Sequence, residues 1–320
     1  MRKFLRIAVF AGLYVLALCV SAWADVEINA ANFPDDIFRN NVVSNFDTDN
    51  DGILSDSEIS AVDALSAENM GITSLQGIEY FTGLMYLLCA NNQITELDLT
   101  SLTDLKELAC DNNLLTSLDV SNNTALTILD CYNNLLASLN VSNNAALTNL
   151  NCNDNQLTAL DVSHNTALIF LWCNYNQLTA LDVSNNRALT TLGFSGNNIT
   201  EIDVTNNPLL TFLQFNENQI TELNVTNNTA LEELGFELNQ VEAIDLTNNK
   251  ALTGLYCNGN RFAVLDVSNN TALTSLQCGG NLLKELNVEN NINLTELECF
   301  SNQLTALDVT SNTALIKLDC

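Results

Sequence analysis

The sequence predicts an α/β repeat solenoid: parallel strands stacked in 21-residue coils, with a small helical segment capping the N-terminal end. Three observations predict it. Cys89, Cys110, Cys131, Cys152 and Cys173 are evenly spaced, Phe194, Phe215 and Phe236 continue the series, and Cys257, Cys278, Cys299 and Cys320 complete it, all at a period of 21 residues. Within each period the apolar positions alternate with polar ones only briefly, as in Leu150-Asn151-Cys152, which is the pattern of a short strand with one buried face. Ahead of the repeats, an acidic loop from Asp47 to Glu58 sits between two stretches that read as short helices.

Taken from the N-terminus, residues 1–24 read as a secretory signal. Arg2, Lys3 and Arg6 give a positive start, Ile7 to Val20 is apolar, and Ala22-Trp23-Ala24 is a small-x-small cleavage site. The apolar run is short for a membrane span, and no later stretch qualifies. Leu16-Ala17-Leu18-Cys19 has some likeness to a lipoprotein cleavage box, with bulky Leu18 where a small residue belongs. Removing three basic residues and no acid takes the net charge from −28 to −31. That charge repels nucleic acid and anionic lipid and favours cations.

Residues 25–64 form the expected cap. Pro34 suits a helix start, and Phe38, Val42 and Phe46 make an apolar stripe running into the loop. In Asp47-Thr-Asp49-Asn-Asp51-Gly52-Ile53-Leu54-Ser55-Asp-Ser-Glu58, every chemical position of a calcium loop is filled. Asp47, Asp49 and Asp51 offer carboxylates, Ile53 a carbonyl, Ser55 a direct or water-borne oxygen and Glu58 a bidentate carboxylate; Gly52 permits the turn. Ser55 and Glu58 also make a capping-box pattern for the exit helix. The loop resembles single EF-hand or dockerin-type loops, although a dockerin carries two and only one is present. Calcium is therefore the expected cofactor, holding the N-terminal end rigid rather than switching it.

Residues 65–320 form the expected solenoid, beginning with an irregular unit that includes Ile72, Leu75 and Ile78. One regular unit reads Leu147-Thr-Asn-Leu150-Asn-Cys152-Asn-Asp-Asn155-Gln-Leu157-Thr-Ala-Leu160-Asp161-Val162-Ser-His-Asn165-Thr-Ala167. Its first half resembles the leucine-rich repeat, L-x-x-L-x-L-x-x-N-x-L, with Cys152 at the third leucine position. Two asparagine columns recur, one containing Asn155 and the other Asn165. Each amide offers donor and acceptor groups, so both columns are expected to satisfy turn backbone at opposite corners in the same way. No coil buries its apolar face alone, so stacking makes one continuous core. Twelve coils at ~4.8 Å per strand give a stack roughly 50–55 Å long. The chain resembles bacterial secreted and surface leucine-rich-repeat proteins, including the internalin-like group. That resemblance implies adhesion or recognition at the bacterial surface or outside the cell.

The nine repeat cysteines share a column with three phenylalanines, so the position calls for apolar bulk and the thiols are expected to be reduced and buried. Parallel Cβ vectors on neighbouring strands suit a disulfide poorly. The Asp column (Asp98, Asp119, Asp161 and onward) is expected to bond turn backbone. His164, the only histidine, reads as an exposed corner residue. No nucleophile–base set, His metal cluster or phosphate loop appears, so no enzyme is expected. The period of two points Tyr132, Phe170, Trp172, Phe212 and Tyr256 outward on one strand face, with Tyr86 and Phe300 further along it. This face is the expected site for a protein or glycan ligand; the alternative for Trp172 is simple cover over Gly193 of the next coil. A second function class, a structural or ice-facing solenoid, is suggested by the Thr column at 148, 190, 211, 253, 274 and 295.

Overall fold

The computed structural model describes residues 25–320. The expected leader, residues 1–24, lies outside them. The cap comprises strand β1 (Val26–Glu27), helix α1 (Asp36–Phe46), strand β2 (Ile53–Leu54) and helix α2 (Asp56–Ser60), with β1 and β2 paired antiparallel. Asp35, immediately after Pro34, caps α1 by accepting from the amides of Ile37 and Phe38. The same carboxylate accepts from the amide and hydroxyl of Thr73, both at 2.8 Å, and so fastens the cap to the first coil. Phe46 meets Phe81 with ring centroids 5.3 Å apart, continuing the apolar core from cap to coils.

Thirteen parallel strands of three residues follow in strict sequence order, from Ala64–Ser66 to Lys317–Asp319. The central leucines align in one row, Leu65 to Leu87 to Leu108 and onward to Leu297 and Leu318. This is the 21-residue solenoid expected from the spacing, with one further strand contributed by the irregular first unit. The opposite wall has almost no regular structure: one isolated parallel bridge, Asp119 to Asn140, joins its coils. A 21-residue period leaves too few residues there for a helix once the strand and two corners are made.

The cysteine column runs through the interior. Eight of the nine thiols are buried and all nine are free; Cys320 is exposed. The expectation of nine buried thiols is corrected to eight. Phe194 and Phe215 stack at 5.2 Å and 7°, and Phe215 and Phe236 at 5.7 Å and 17°. Five residues on, the three Phe coils carry β-branched Ile199, Ile220 and Val241, where most Cys coils carry leucine, as at Leu115, Leu136, Leu157 and Leu178, and the Cys257 coil carries Phe262.

The two asparagine columns do different work. The Nδ2 of Asn155 donates to the carbonyls of Cys131, Cys152 and Asn153, and its Oδ1 accepts from the Leu136 amide at 3.0 Å. The Nδ2 of Asn165 donates to the carbonyls of Val141 and Asn144, both at 2.9 Å, but its Oδ1 has no partner. The same holds along the whole second column, from Asn123 to Asn312. The expectation of identical roles is thus corrected: the first corner leaves an inward amide to be satisfied, whereas the second offers only carbonyls.

Candidate functional site

Two regions answer to the sequence-based site residues. In the cap loop, Asp47, Asp49 and Glu58 bring carboxylate oxygens within 4.8 Å of one another. The loop is shaped by its own backbone bonds. Asp47 accepts from the amides of Asp51 (3.2 Å) and Gly52 (3.1 Å), and Gly52 takes φ +82°, a value that glycine adopts without strain. Asp51 lies outside that grouping, its carboxylate taken by the Ile53 amide at 2.8 Å. Ile53 itself pairs with Glu27. Ser55 caps α2, with the reciprocal capping box to Glu58 formed. The Glu58 carboxylate receives the amide and hydroxyl of Ser55 on one oxygen and those of Thr48 on the other. The Ser55 amide first, then Thr48, hold its pKa down at about 2.

The outward strand face is the second region. Phe170 and Trp172 share the strand Phe170–Trp172, and the Trp172 ring reaches over the next coil to Phe212, centroids 5.5 Å apart. Phe170 is 38% exposed and Trp172 half-buried. A Cβ on Gly193 would fall 2.5 Å from Trp172 Cε3, so the ring lies against that glycine's backbone. Cover over Gly193 and membership of a surface patch are therefore both realised. Tyr132 and Tyr256 do not join the cluster. Tyr132 stands among Asp111 and Asn112, and burial first, then its bond to Asp111, raises its hydroxyl pKa. The Tyr256 ring turns back onto Gly254 of its own strand.

Two features of this face escaped the sequence reading. The ring-over-glycine arrangement recurs: Phe300 lies on Gly279 and, at the turn beyond the strands, Tyr175 lies on Gly196, each pair one period apart. A glycine 21 residues from an aromatic is the signal that finds it. A third polar ladder also climbs the face. Asn153 Oδ1 accepts from the Asn174 amide (2.7 Å), Asn174 Oδ1 from Ser195 (2.6 Å), and Asn216 Oδ1 from Glu237 (2.8 Å). Its signal is the run of short polar side chains just past each cysteine or phenylalanine.

No family model matches the chain. Over 71 residues it is 41% identical to internalin J of Listeria monocytogenes serotype 4b (strain F2365), a stretch amounting to 22% of this chain and 8% of that protein. The solved functional domain of internalin J, which includes a cysteine ladder, is 36% identical, with a TM-score of 0.72 over 92% of this chain and 75% of that one. This chain belongs to the internalin-like leucine-rich-repeat proteins. An internalin of the same Listeria strain (internalin F; TM-score 0.75, covering 92% of this chain and 97% of that one) and a leucine-rich-repeat protein of Leptospira interrogans (TM-score 0.76, covering 84% and 75%) are each 24% identical and share the fold.

In this internalin-like chain the Asp column behaves as turn structure. Asp203 Oδ1 accepts from the hydroxyl (2.6 Å) and amide (2.9 Å) of Thr205, which keep its pKa below the ordinary carboxylate value. Asp98 and Asp308 are held in the same way by Thr100 and Thr310. His164 is exposed, and its ring Nδ1 is in hydrogen-bond reach of the Ser163 hydroxyl. No helix among the described residues is long and apolar enough to cross a membrane.

Proposed function

We propose that this internalin-like chain is an exported, bacterial surface or secreted interaction module without catalytic chemistry. It binds a protein or glycan ligand through its outward strand face and carries one structural calcium ion in the cap. The observation that carries the binding reading is the cluster of Phe170, Trp172 and Phe212 on the outward face, flanked by Asn149, Asn151, Asn153, Gln214 and Asn216. Exposed aromatics rimmed by polar groups mark interaction sites, and they dominate interface energetics.

The ice-facing alternative is weakened by the Thr column. The hydroxyls of Thr148, Thr190, Thr211, Thr253, Thr274 and Thr295 donate to carbonyls of the preceding coil, so each spends its one proton inside the protein.

Trp172 is the only tryptophan in residues 25–320. Acrylamide should quench its fluorescence in the free protein, and a ligand recovered from a screen of host glycoproteins and glycans should shield it. A folded Trp172→Ala variant that binds such a ligand with unchanged affinity would place the site elsewhere.

Calcium is supported by the chemistry of the donor set: Asp47, Asp49 and Glu58 are hard oxygen donors already gathered by the fold, with the Ile53 carbonyl, Ser55 and Asp51 close in sequence. A bound ion would neutralise clustered carboxylates and tie α1 to α2. Calorimetric titration of residues 25–320 should show one calcium equivalent taken up, and none by Asp47→Ala. Unfolding of the cap should shift upward with free calcium, as mass action requires. Equal uptake by both proteins would remove the assignment.

A further inference from the structure

The outward face is not uniformly acidic, although the chain is. Its first third carries Glu107, Asp111 and Asp130, and its last third Glu233, Glu237, Glu296 and Glu298. Between them, on four successive coils, the outward positions are Asn149, Asn151 and Asn153; Phe170, Trp172 and Asn174; Thr191, Gly193 and Ser195; and Phe212, Gln214 and Asn216. Not one of the twelve is charged, in a protein with 38 carboxylates among its side chains. Asp154 and Glu217 stand only at the turn beyond the strip.

The polar groups of the strip are carboxamides and hydroxyls. Asn149 and Gln214 make no side-chain hydrogen bond within the strip, so both ends of each amide remain available. In Asn153 the Oδ1 is fixed by the Asn174 amide, which leaves its Nδ2 as a positioned donor. Between these amides the Trp172 ring rests against Gly193, with the Phe212 ring tilted 46° to it at 5.5 Å between centroids.

Resting on the reading of this face as the binding surface, we infer that its ligand is a neutral oligosaccharide. One face of a pyranose ring is a sheet of C–H bonds, which packs on an indole, while its hydroxyl edge alternates donors and acceptors, which carboxamides match in pairs. Four coils at ~4.8 Å give a strip roughly 20 Å long, suited to several linked sugars. The absence of charge in the strip and the acidic banks at both ends, within about a Debye length of it, select against uronic or sialic acids. Gly193 acts here as a positioning residue, since any Cβ would lift the indole from its seat.

The test is fluorescence titration of residues 25–320 with uncharged oligosaccharides (cellotetraose, maltotetraose, mannotetraose, N-acetylchitotetraose and lacto-N-tetraose) and with charged counterparts (tetragalacturonate and sialylated lacto-N-tetraose). At least one uncharged member should bind and shift the Trp172 emission; the charged members should not. Gly193→Ala, which keeps every strip side chain, should weaken binding about tenfold, and Phe212→Ala similarly, with circular dichroism unchanged. No binding by any uncharged member at millimolar concentration, or preference for the charged ones, overturns the inference. A second arm uses immobilised asialofetuin before and after enzymatic deglycosylation. Retention on both forms that depends on Trp172 overturns the sugar assignment while leaving the face as the binding surface. Oligosaccharide binding indifferent to Gly193→Ala and to Phe212→Ala overturns both.

Discussion

Asn155→Ala should cost about 3–4 kcal/mol of stability, and Asn165→Ala only about 1–2 kcal/mol, although both residues are buried asparagines ten positions apart in one repeat. The difference lies in what each leaves behind. Removing Asn155 strands the Leu136 amide, whose only partner is Asn155 Oδ1. It also takes a donor from the carbonyls of Cys131, Cys152 and Asn153. A buried, unsatisfied amide incurs its full desolvation penalty. Removing Asn165 strands nothing: the Val141 carbonyl keeps the Asn144 amide, and the Asn144 carbonyl keeps the Leu147 amide. The lost Oδ1 had no partner to begin with. Urea unfolding of the two variants gives the comparison, and hydrogen exchange at the Leu136 amide gives the local readout, which should rise sharply in Asn155→Ala alone. An equal or larger cost for Asn165→Ala would mean that the second column, not the first, secures the stack.

The second large effect lies at alkaline pH. Burial raises the pKa of all eight interior thiols: to about 12 at Cys152 and Cys278, to about 11 at Cys299, and well above 9.0 at Cys110, Cys131, Cys173 and Cys257. Cys89 shifts in the same direction. In the unfolded chain these thiols ionise near their ordinary value of 9.0, so above that pH the unfolded state holds fewer protons than the folded one. Stability is therefore full below pH 9 and falls as pH rises through the window up to the folded values. Each thiol contributes a slope of about 1.4 kcal/mol per pH unit, so the run Cys89–Cys173 alone gives about 7 kcal/mol per unit. The expected result is cooperative loss of strand signal in circular dichroism within one to two units above pH 9, by order of magnitude, starting in the coils that hold those five thiols. Replacing Cys110, Cys131 and Cys152 together with alanine should make the protein less stable at pH 7 but flatten its decline above pH 9. A decline as steep as in the unmodified protein would assign alkaline unfolding to other groups, the tyrosines first.

Most of this molecule is written in its period. The spacing of Cys152 from Cys131 and Cys173 determines that strands stack in parallel, because a side chain repeating every 21 residues can be buried every time only if each coil lies on the last. The same spacing places Trp172 over Gly193 and points Phe170 and Phe212 outward, since alternation along a strand is a local property of the backbone. The shape of the Asp47–Glu58 loop is legible for a similar reason: Ser55 with Glu58 forms the capping box within three residues, and the carboxylates of Asp47, Asp49 and Glu58 that the fold gathers are close in sequence. What the sequence left open depends on contacts between coils and on geometry at the corners. Asn155 and Asn165 look alike in sequence, yet one corner turns an amide inward and the other only carbonyls. Trp172 reaches past its neighbour to Phe212, which no single repeat reveals. The ladder through Asn153, Asn174 and Ser195 exists only because each side chain meets the amide of the following coil. Burial follows the same logic: the eight buried cysteines of one column are each sealed by the coil before and the coil after.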